Sequence, residues 1–416
     1  MNRFFNTFLR GMAAMAAVAA STSCSMMQDS VEDCPLGLYV RFVYDYNTQR
    51  ADMFKDHVGH VTLFLYDEQG NLAATRTVSN SGADAPLSLY GYAIHFSPDE
   101  LRPGRYRVQA VAMQRDWQEA LATPGAKYRR NSPSSHDDLV IELDREDDAC
   151  HGSSHHAVSD AAPLDTLWHT LKVMSHLPQD GNIVPALQRT SKPFSVYPLD
   201  EQFVEVADNR ATYATVSLVR DTKHLNITLR ELDEPASVSA DRYDVRILDN
   251  NATLAHDNEV VTTDSLHYSP YASWTSRFLS DGSMEIETIH KGKPGQYDME
   301  GGSKGDSKEE PETVQRTAHY NLMFNRLVYN TSDNADNAIL EISNKETGAV
   351  VAHINLPSVL SQGRMAYEIY NYGHQEYLDR EYDYHLDFFL KGDKWLYCDI
   401  VINVLSWSKR TQNVDF

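Results

Sequence analysis

The chain has few cysteines, fewer basic than acidic residues, and no long apolar run beyond its N-terminus. Its 416 residues include four cysteines, and 37 Lys and Arg stand against 59 Asp and Glu, a formal net charge of -22. This charge argues against a nucleic-acid partner, because a phosphate backbone needs clustered Lys and Arg. After residue 23 no apolar run approaches the roughly 20 residues that a membrane helix requires. The chain after that residue is therefore soluble or merely tethered.

Motifs of the common enzyme classes are missing as well. The sequence has no H-E-x-x-H helix and no glycine-rich phosphate loop, and its one G-x-S-x-G match, GGSKG at residues 301–305, lies in a polar, loop-like stretch and not between a strand and a helix. Its one cluster of metal-capable residues is DDACHGSSHH at 147–156. The spacing in that cluster matches no closed zinc pattern, which requires paired ligands such as C-x2-C with a distant H-x3-5-H. We therefore predict no catalytic residue, no cofactor and no metal site, and a polar loop at residues 127–160.

The N-terminus is typical of an export signal. Arg3 and Arg10 supply positive charge, and GMAAMAAVAA at residues 11–20 is a ten-residue apolar core. A core this short fits a signal peptide better than a membrane span. Small residues then lead to Cys24, as at a site for a lipoprotein signal peptidase. We predict a signal peptide at residues 1–23 and a lipid on Cys24.

Alternatives to this attachment point come from the other cysteines and from ordinary secretion. Cys34 is a weaker candidate for lipid, since Asp33 directly precedes it and no apolar run is near. Cys24 without a lipid would mean simple export. Export permits disulfides, and Cys34 and Cys150 flank one predicted domain, so they are a candidate pair, although sequence alone does not decide connectivity. Cys398 would remain as a small buried residue in a strand.

Alternating strands dominate the rest of the chain. Residues 38–44 alternate large apolar side chains on one face, which predicts a strand with one buried face. HVTLFLYDEQGNLAATRTV at residues 60–78 predicts a hairpin with its turn at Gly70. Long helical periodicity is weak, and the best candidates for short helices are Asp116–Ala122 and Pro163–Val173. The pattern predicts an all-β protein with few short helices.

A repeat of strand and hairpin predicts two domains of one kind. GLYVRFVYD followed by HVTLFLYDEQGNL is echoed by HLNITLREL followed by DRYDVRILDNNATL. We place the boundary near residue 200. The predicted organisation is a polar leash at residues 24–36, a β-sandwich at 37–200 and a second β-sandwich at 201–416. An exposed loop is expected inside the second domain at Lys291–Glu312.

Four segments together resemble the FimB/Mfa2 family of fimbrial anchor subunits. They are CPLGLYVRFVYDYN, ADMFKDHVGHVTLFLYDEQGNL, TVSLVRDTKHLNITLREL and the C-terminal VINVLSWSKRTQNVDF. The resemblance implies two tandem transthyretin-like β-sandwich domains. It also implies an outer-membrane lipoprotein, exposed at the cell surface, at the base of a pilus. The implied partner is the fimbrial stalk subunit, the major fimbrillin, joined by strand complementation.

The resemblance directs attention to the C-terminal strand. An anchor that keeps its own first strand offers no open groove and would contribute through a segment with apolar residues on both faces. The same pattern suits a central strand of the anchor's own domain equally well. The candidate stalk-contact residues are Ile400, Val401, Ile402, Asn403, Val404 and Leu405. The alternative function is a surface lipoprotein that binds glycan or host protein, since β-sandwiches serve both uses.

Overall fold

Strands make up most of the described chain, and its helices are few and short, which confirms the predicted all-β class. Cys24, Cys34, Cys150 and Leu405 lie outside the described residues, as does nearly all of the loop predicted at Lys291–Glu312. The computed structural model describes residues 36–81, 84–147, 156–176, 203–290, 312–331, 337–367, 369–392, 394–404 and 407–411.

The strands before Asp221 follow one another closely. In chain order they are β1 Gly37–Val43, β2 His60–Tyr66, β3 Leu72–Ser79, β4 Ile94–Phe96, β5 Gly104–Met113, β6 Tyr128–Arg130, β7 Ile141–Leu143, β8 Glu146–Asp147, β9 His156–Val158, β10 Leu167–His176, β11 Phe203–Val206 and β12 Ala211–Arg220. Two short helices interrupt them, α1 Phe54–His57 and α2 Trp117–Ala122.

The later strands form the rest of the molecule. They are β13 Lys223–Glu231, β14 Tyr243–Asp249, β15 Thr253–Leu254, β16 Val260–Val261, β17 Leu266–Tyr268, β18 Ala272–Leu279, β19 Met284–His290, β20 Thr313–Phe324, β21 Ile339–Asn344, β22 Val350–Asn355, β23 Asp383–Lys391, β24 Lys394–Val404 and β25 Trp407–Thr411. Helices α3 Leu356–Leu360 and α4 His374–Arg380 lie between β22 and β23.

The first sheet rolls around its own core. Its strand order is β3-β2-β5-β10-β12-β1-β4, with β11 also paired to β5. The two ends approach each other, because the guanidinium of Arg76 on β3 donates to the carbonyl of His95 on β4 and pairs with Glu100. Inward side chains of β1, β2, β5 and β12 fill the interior, among them Leu38, Leu63, Val108 and Val216.

The described residues form three further sheets. The second sheet has the order β19-β18-β20-β13-β23-β24-β25, and the third has the order β22-β21-β14-β17-β9-β8. The fourth is small, β16-β15-β7-β6. Residues 127–160, predicted as a loop, therefore contribute the short strands β6 to β9, whose partners β15 and β17 lie in the later part of the chain. Local sequence patterns do not identify pairing partners that lie so far along the chain.

The first strand of each half pairs in parallel with a later strand. β1 runs parallel to β12 from Gly37 opposite Ala211 to Val43 opposite Ser217. β13 runs parallel to β23 in the same way. This correspondence agrees with the sequence repeat. The boundary at residue 200 stays a prediction, and strand pairing moves from the first sheet to the second between Arg220 and the start of β13.

The two cores meet across β2 and β5. Every residue of β2 is buried, because one face lines the rolled sheet while Phe64 and Tyr66 belong to a second, larger core. Val111 and Met113 of β5 also enter this second core, with residues of the later sheets. A strand buried on both faces has a nearly continuous apolar sequence, as β2 does.

Local chemistry explains the hairpin and the predicted helix. In the β2–β3 turn, Asp67 Oδ1 accepts hydrogen bonds of 3.0 and 2.8 Å from the backbone N–H groups of Gln69 and Asn71. Gly70 has a φ of 83°, a left-handed conformation that glycine adopts without strain. Asp116 caps α2, with its Oδ1 accepting from two backbone N–H groups of the first turn. Both predictions are confirmed.

The helix predicted at Pro163–Val173 is wrong. Its residues from Leu167 onward form β10, which pairs antiparallel with β12 on one side and with β5 on the other. Trp168 and Val173 are buried in the rolled core. The sequence of this segment favours a helix only weakly. Hydrogen bonding to the edges of two neighbouring strands stabilises it as a strand.

Candidate functional site

The predicted contact strand lies in β24, near one end of the second sheet. Its backbone pairs antiparallel with β23, with Ile400 opposite Leu386. On its other side it pairs antiparallel with β25, with Ile400 opposite Thr411 and Val404 opposite Trp407. β25 ends the sheet, and no described strand pairs with its outer edge. Residues 400–404 thus lie within their own sheet, separated from its edge by a strand of five residues.

The two faces of β24 meet different surroundings. Ile400 is 3% exposed and packs in the larger core with Cys398. Val401 is half-buried and faces the other way, because side chains alternate along a strand. Leu405, the last of the candidate contact residues, lies outside the described part of the chain.

A small cavity of about 70 Å³ opens beside Ile400 and Val401. Thr48 and Gln49, from the loop after β1, line one wall, and the start of β23 lines the other. This volume holds a few water molecules and no larger ligand. The cavity is therefore part of the contact between the early and late parts of the chain.

A buried lysine supports the start of β23. Lys223 is 0% exposed, and its Nζ donates hydrogen bonds of 2.9 Å to the carbonyl oxygens of Asp379 and Glu381. Burial lowers the pKa of Lys223 to about 8, since desolvation disfavours the charged form. Arg326 holds the Asp379 carboxylate with two hydrogen bonds, 2.8 Å from Nε and 3.0 Å from Nη2. These contacts fix the end of α4 against β13.

The loop after β1 joins the same region. Thr48 Oγ1 donates a hydrogen bond of 3.0 Å to Glu381 Oε2. Burial raises the pKa of the Glu381 carboxyl above its usual range. Beside it, the guanidinium of Arg380 lies 3.9 Å from the centroid of the Tyr46 ring, a cation–π contact. The loop after β1 is thus bonded to the segment that leads into β23, the strand that pairs with the candidate contact residues.

The turn between β12 and β13 is buried and held from several sides. Asp221 is 0% exposed, with its Oδ2 at 2.6 Å from His169 Nδ1 and its Oδ1 accepting from Asn258 Nδ2 at 2.8 Å. Thr222 Oγ1 accepts a hydrogen bond of 3.0 Å from the backbone N–H of Leu167. A connection with buried, bonded polar groups does not act as a flexible hinge.

The structure describes Cys398, and the other three cysteines lie outside the described residues. Cys398 is a free thiol in β24 and is 0% exposed, as predicted, and burial raises its pKa well above the usual range. The lipid on Cys24 and the pair formed by Cys34 and Cys150 stay predictions. Of the polar cluster at 147–156, the described residues are the two ends, where His156 Nδ1 lies 3.2 Å from an Asp147 carboxylate oxygen.

The group formed by Thr48, Lys223 and Glu381 is not predicted by any sequence motif. These residues are far apart in the sequence, so no local motif connects them. One signal was present: alternation along β13 puts Lys223 on the same face as the core residues Leu225 and Ile227. A charged side chain on a buried face predicts a bonded, buried site.

Within the part of the chain that the structure describes, no helix is long and apolar enough to cross a membrane. Solved structures define the class of fold. A candidate polysaccharide-binding protein from Bacteroides thetaiotaomicron is similar with a TM-score of 0.59 and 22% identity, over 91% of this chain and 99% of that one. A candidate adhesin from the same species is similar with a TM-score of 0.60 and 22% identity, over 91% and 98%. The fold is that of these adhesin-like β proteins.

The chain belongs to the family of fimbrillin-A associated anchor proteins Mfa1 and Mfa2, whose family model matches residues 31–413. The resemblance inferred from the sequence is confirmed. The fimbrial anchor protein Mfa2 from Porphyromonas gingivalis is a more distant match, with a TM-score of 0.48 and 14% identity over 91% of this chain and 100% of that one. None of the curated proteins matches the chain.

Proposed function

We propose that this protein is a non-enzymatic anchor that holds a fimbrium at the outer membrane. The observation that carries the proposal is the match to an anchor family over residues 31–413. In this proposal Cys24 carries the lipid and residues 24–36 form the tether. Extended, about a dozen residues span roughly 40 Å, enough to clear a membrane surface. The two β-sandwiches, 37–200 and 201–416, then lie outside the membrane, with Cys34 and Cys150 as a staple of the first.

The stalk subunit, the major fimbrillin, joins by strand complementation at the end of the second sheet. β25 has five residues, whereas β23, on the other side of β24, has nine. A short end strand is the easier of the two to displace, since fewer hydrogen bonds hold it. We infer that a stalk strand takes the place of β25 and pairs with residues 400–405. Main-chain hydrogen bonds would supply affinity and alternating side chains specificity.

A second candidate function is binding of glycan or host protein at the cell surface. Aromatic pairs on the second sheet favour it, with Trp274 stacked on His319 at 5.0 Å between ring centroids and Phe389 on Tyr397 at 4.4 Å. Trp274 and Tyr397 are half-buried, so each keeps part of its surface available to a ligand. One similar structure is described as a candidate polysaccharide-binding protein.

The test compares the wild-type chain with Cys24→Ala in a host that assembles this type of fimbrium. We expect the wild type to carry acyl chains by intact mass and to fractionate with the outer membrane. Fimbriae of cells that make Cys24→Ala should be shed into the medium. Ser30→Ala is the matched control, because it changes a residue of the same tether and keeps all four cysteines, so lipid and attachment should be unchanged.

Two other outcomes would overturn the proposal. A lipidated protein on whose presence no fimbrium depends would favour the glycan- or host-binding function. An unmodified Cys24 in the mature wild-type chain would remove the tether, and the anchor mechanism with it.

A further inference from the structure

Two histidines and an aspartate from distant parts of the chain meet beside the first sheet. His136 Nδ1 lies 2.7 Å from Asp137 Oδ1, and His256 Nε2 lies 3.5 Å from the same oxygen. The two imidazole rings meet edge to face, 4.9 Å between centroids. One ligand atom from each of the three residues lies within 4.8 Å of the others. Imidazole nitrogen and carboxylate oxygen are ligand types that zinc accepts.

Backbone contacts place these residues. His136 and Asp137 stand in a single turn of 3-10 helix, and the N–H of His136 donates a 2.8 Å hydrogen bond to the carbonyl of Gly70 in the β2–β3 turn. His256 stands in the turn between β15 and β16. Its carbonyl accepts a hydrogen bond from Nε2 of Gln109 on β5. The side chains thus converge because two turns pack on the same stretch of the first sheet.

Buried polar atoms around the cluster lack partners among the described residues. They are His136 Nε2, Gln109 Oε1 and the hydroxyl of Tyr66, whose ring lies 5.4 Å from that of His136. All three side chains are almost fully buried, with residue exposures of 2%, 2% and 0%. Buried polar atoms are normally hydrogen-bonded, so each of these three atoms could take a bound water as its partner.

We propose that His136, Asp137 and His256 bind one divalent transition-metal ion, with water in the remaining position. In a tetrahedral zinc site with bonds near 2.0 Å, neighbouring ligand atoms lie about 3.3 Å apart. The 3.5 Å between His256 and Asp137 is close to this spacing. The 2.7 Å between His136 and Asp137 is that of a hydrogen bond, which the ion would replace with a wider separation.

The positive charge of Arg107 opposes binding of the metal ion. Its Nη1 lies 3.1 Å from His136 Nδ1, and its guanidinium lies 4.7 Å from the centroid of the Phe203 ring. A fixed positive charge this close weakens the binding of a cation. Arg107→Met keeps the length of the side chain and removes the charge, so it should strengthen binding about threefold or more.

The experiment is a zinc titration of the full mature chain without a histidine tag, after removal of metals with a chelator. Calorimetry should show one saturable site in the wild type, and zinc should raise the melting temperature by about 3 °C. Asp137→Asn and His256→Asn should each weaken this site at least about tenfold. Arg107→Met should strengthen it.

Matched controls separate this site from other histidines. His353→Asn removes an exposed histidine that pairs with Glu341 at 3.2 Å, and it should leave zinc binding unchanged. The side chain of Asp137 is 78% exposed, so Asp137→Asn decides the matter even if His256→Asn lowers the stability of the metal-free chain. The proposal is wrong if the wild type shows no saturable site, or if Asp137→Asn binds zinc as the wild type does.

Discussion

Thr48 and Glu381 are 333 positions apart in the sequence, and inside the protein Thr48 Oγ1 donates a 3.0 Å hydrogen bond to Glu381 Oε2. The first follows β1 of the rolled sheet, and the second precedes β23 of the second sheet. Both residues are less than a tenth exposed. The bond therefore makes the early and late parts of the chain depend on each other for stability.

Thr48→Val should lower the free energy of unfolding by about 1 to 2 kcal/mol, because it leaves a buried carboxylate oxygen without its donor. The backbone N–H groups of residues 382 and 383 still bond Glu381 Oε1, which limits the loss. Urea unfolding measures the effect. Thr262→Val, at an exposed position, is the control and should stay within about 0.5 kcal/mol of the wild type.

His319 should make the protein acid-sensitive. Burial, with smaller contributions from the nearby Arg230 and His385 and against the opposing charge of Asp387, lowers its pKa to about 4. The unfolded chain, with a histidine pKa near 6.5, therefore binds more protons than the folded one between pH 6.5 and 4. The stability that depends on neutral His319 is complete above pH 6.5 and is lost as the pH falls through this range.

His319→Gln should remove this part of the pH dependence, about 3 kcal/mol between pH 6.5 and 4. The measurement is the difference in unfolding free energy between wild type and variant at each pH, which cancels the titration of other groups. A difference that stays constant over this range would contradict the prediction. The exposed His353→Gln serves as the control for the loss of a histidine elsewhere in the chain.

The β2–β3 turn should depend on glycine at one position. Gly70 has a φ of 83°, and no atom lies within 4 Å of the place where a Cβ would stand. Gly70→Ala should therefore cost about 1 kcal/mol through backbone conformation alone. Gly70→Asn should cost less, since asparagine tolerates the left-handed region. Equal losses for the two variants in urea unfolding would point to a different cause.

Locking β25 onto β24 should prevent attachment of the stalk. Asn403 and Ser408 stand opposite each other in the two strands. Cysteines at directly opposed positions of an antiparallel pair are close enough for a disulfide. The double variant Asn403→Cys with Ser408→Cys should fold but lose cell-attached fimbriae, and a reductant should restore them. Electron microscopy of cells with and without the reductant measures this.

A second locked hairpin is the control for that experiment. Glu341 and His353 stand opposite each other in β21 and β22. The pair Glu341→Cys with His353→Cys adds a disulfide far along the chain from residues 400–405 and should leave the fimbriae attached. Normal fimbriae on cells with the lock at 403 and 408 would show that β25 is not displaced.

Local features were predictable from the sequence, and contacts between distant segments were not. The hairpin at residues 60–78 and the helix capped by Asp116 have their turn and cap within a few residues. The sequence of β10 has a weak helical pattern, and the strands β5 and β12, whose pairing makes it a strand, lie far along the chain. Strand alternation describes one strand at a time and gives no information about which strands are neighbours.

The candidate functional site likewise has some features that the sequence predicts and some that it does not. The repeat of strand and hairpin was visible, and so was the unusual apolar content of residues 400–405. The bonds of Lys223 to carbonyls near residue 380, and the meeting of His136 with His256, depend on which turns pack together. The sequence around a single histidine or lysine does not indicate which distant residue it will contact in the fold.

The parallel pairing of β1 with β12 has a mechanical consequence. A chain held before Gly37 and pulled through its last sheet is loaded at the start of β1 and at the end of β12, where Arg220 leads into the later sheets. Because the two strands run in the same direction, these opposed forces slide one along the other. All the hydrogen bonds between them then bear the load together, as in a shear joint, whereas in an antiparallel pair pulled from one end they would open one after another.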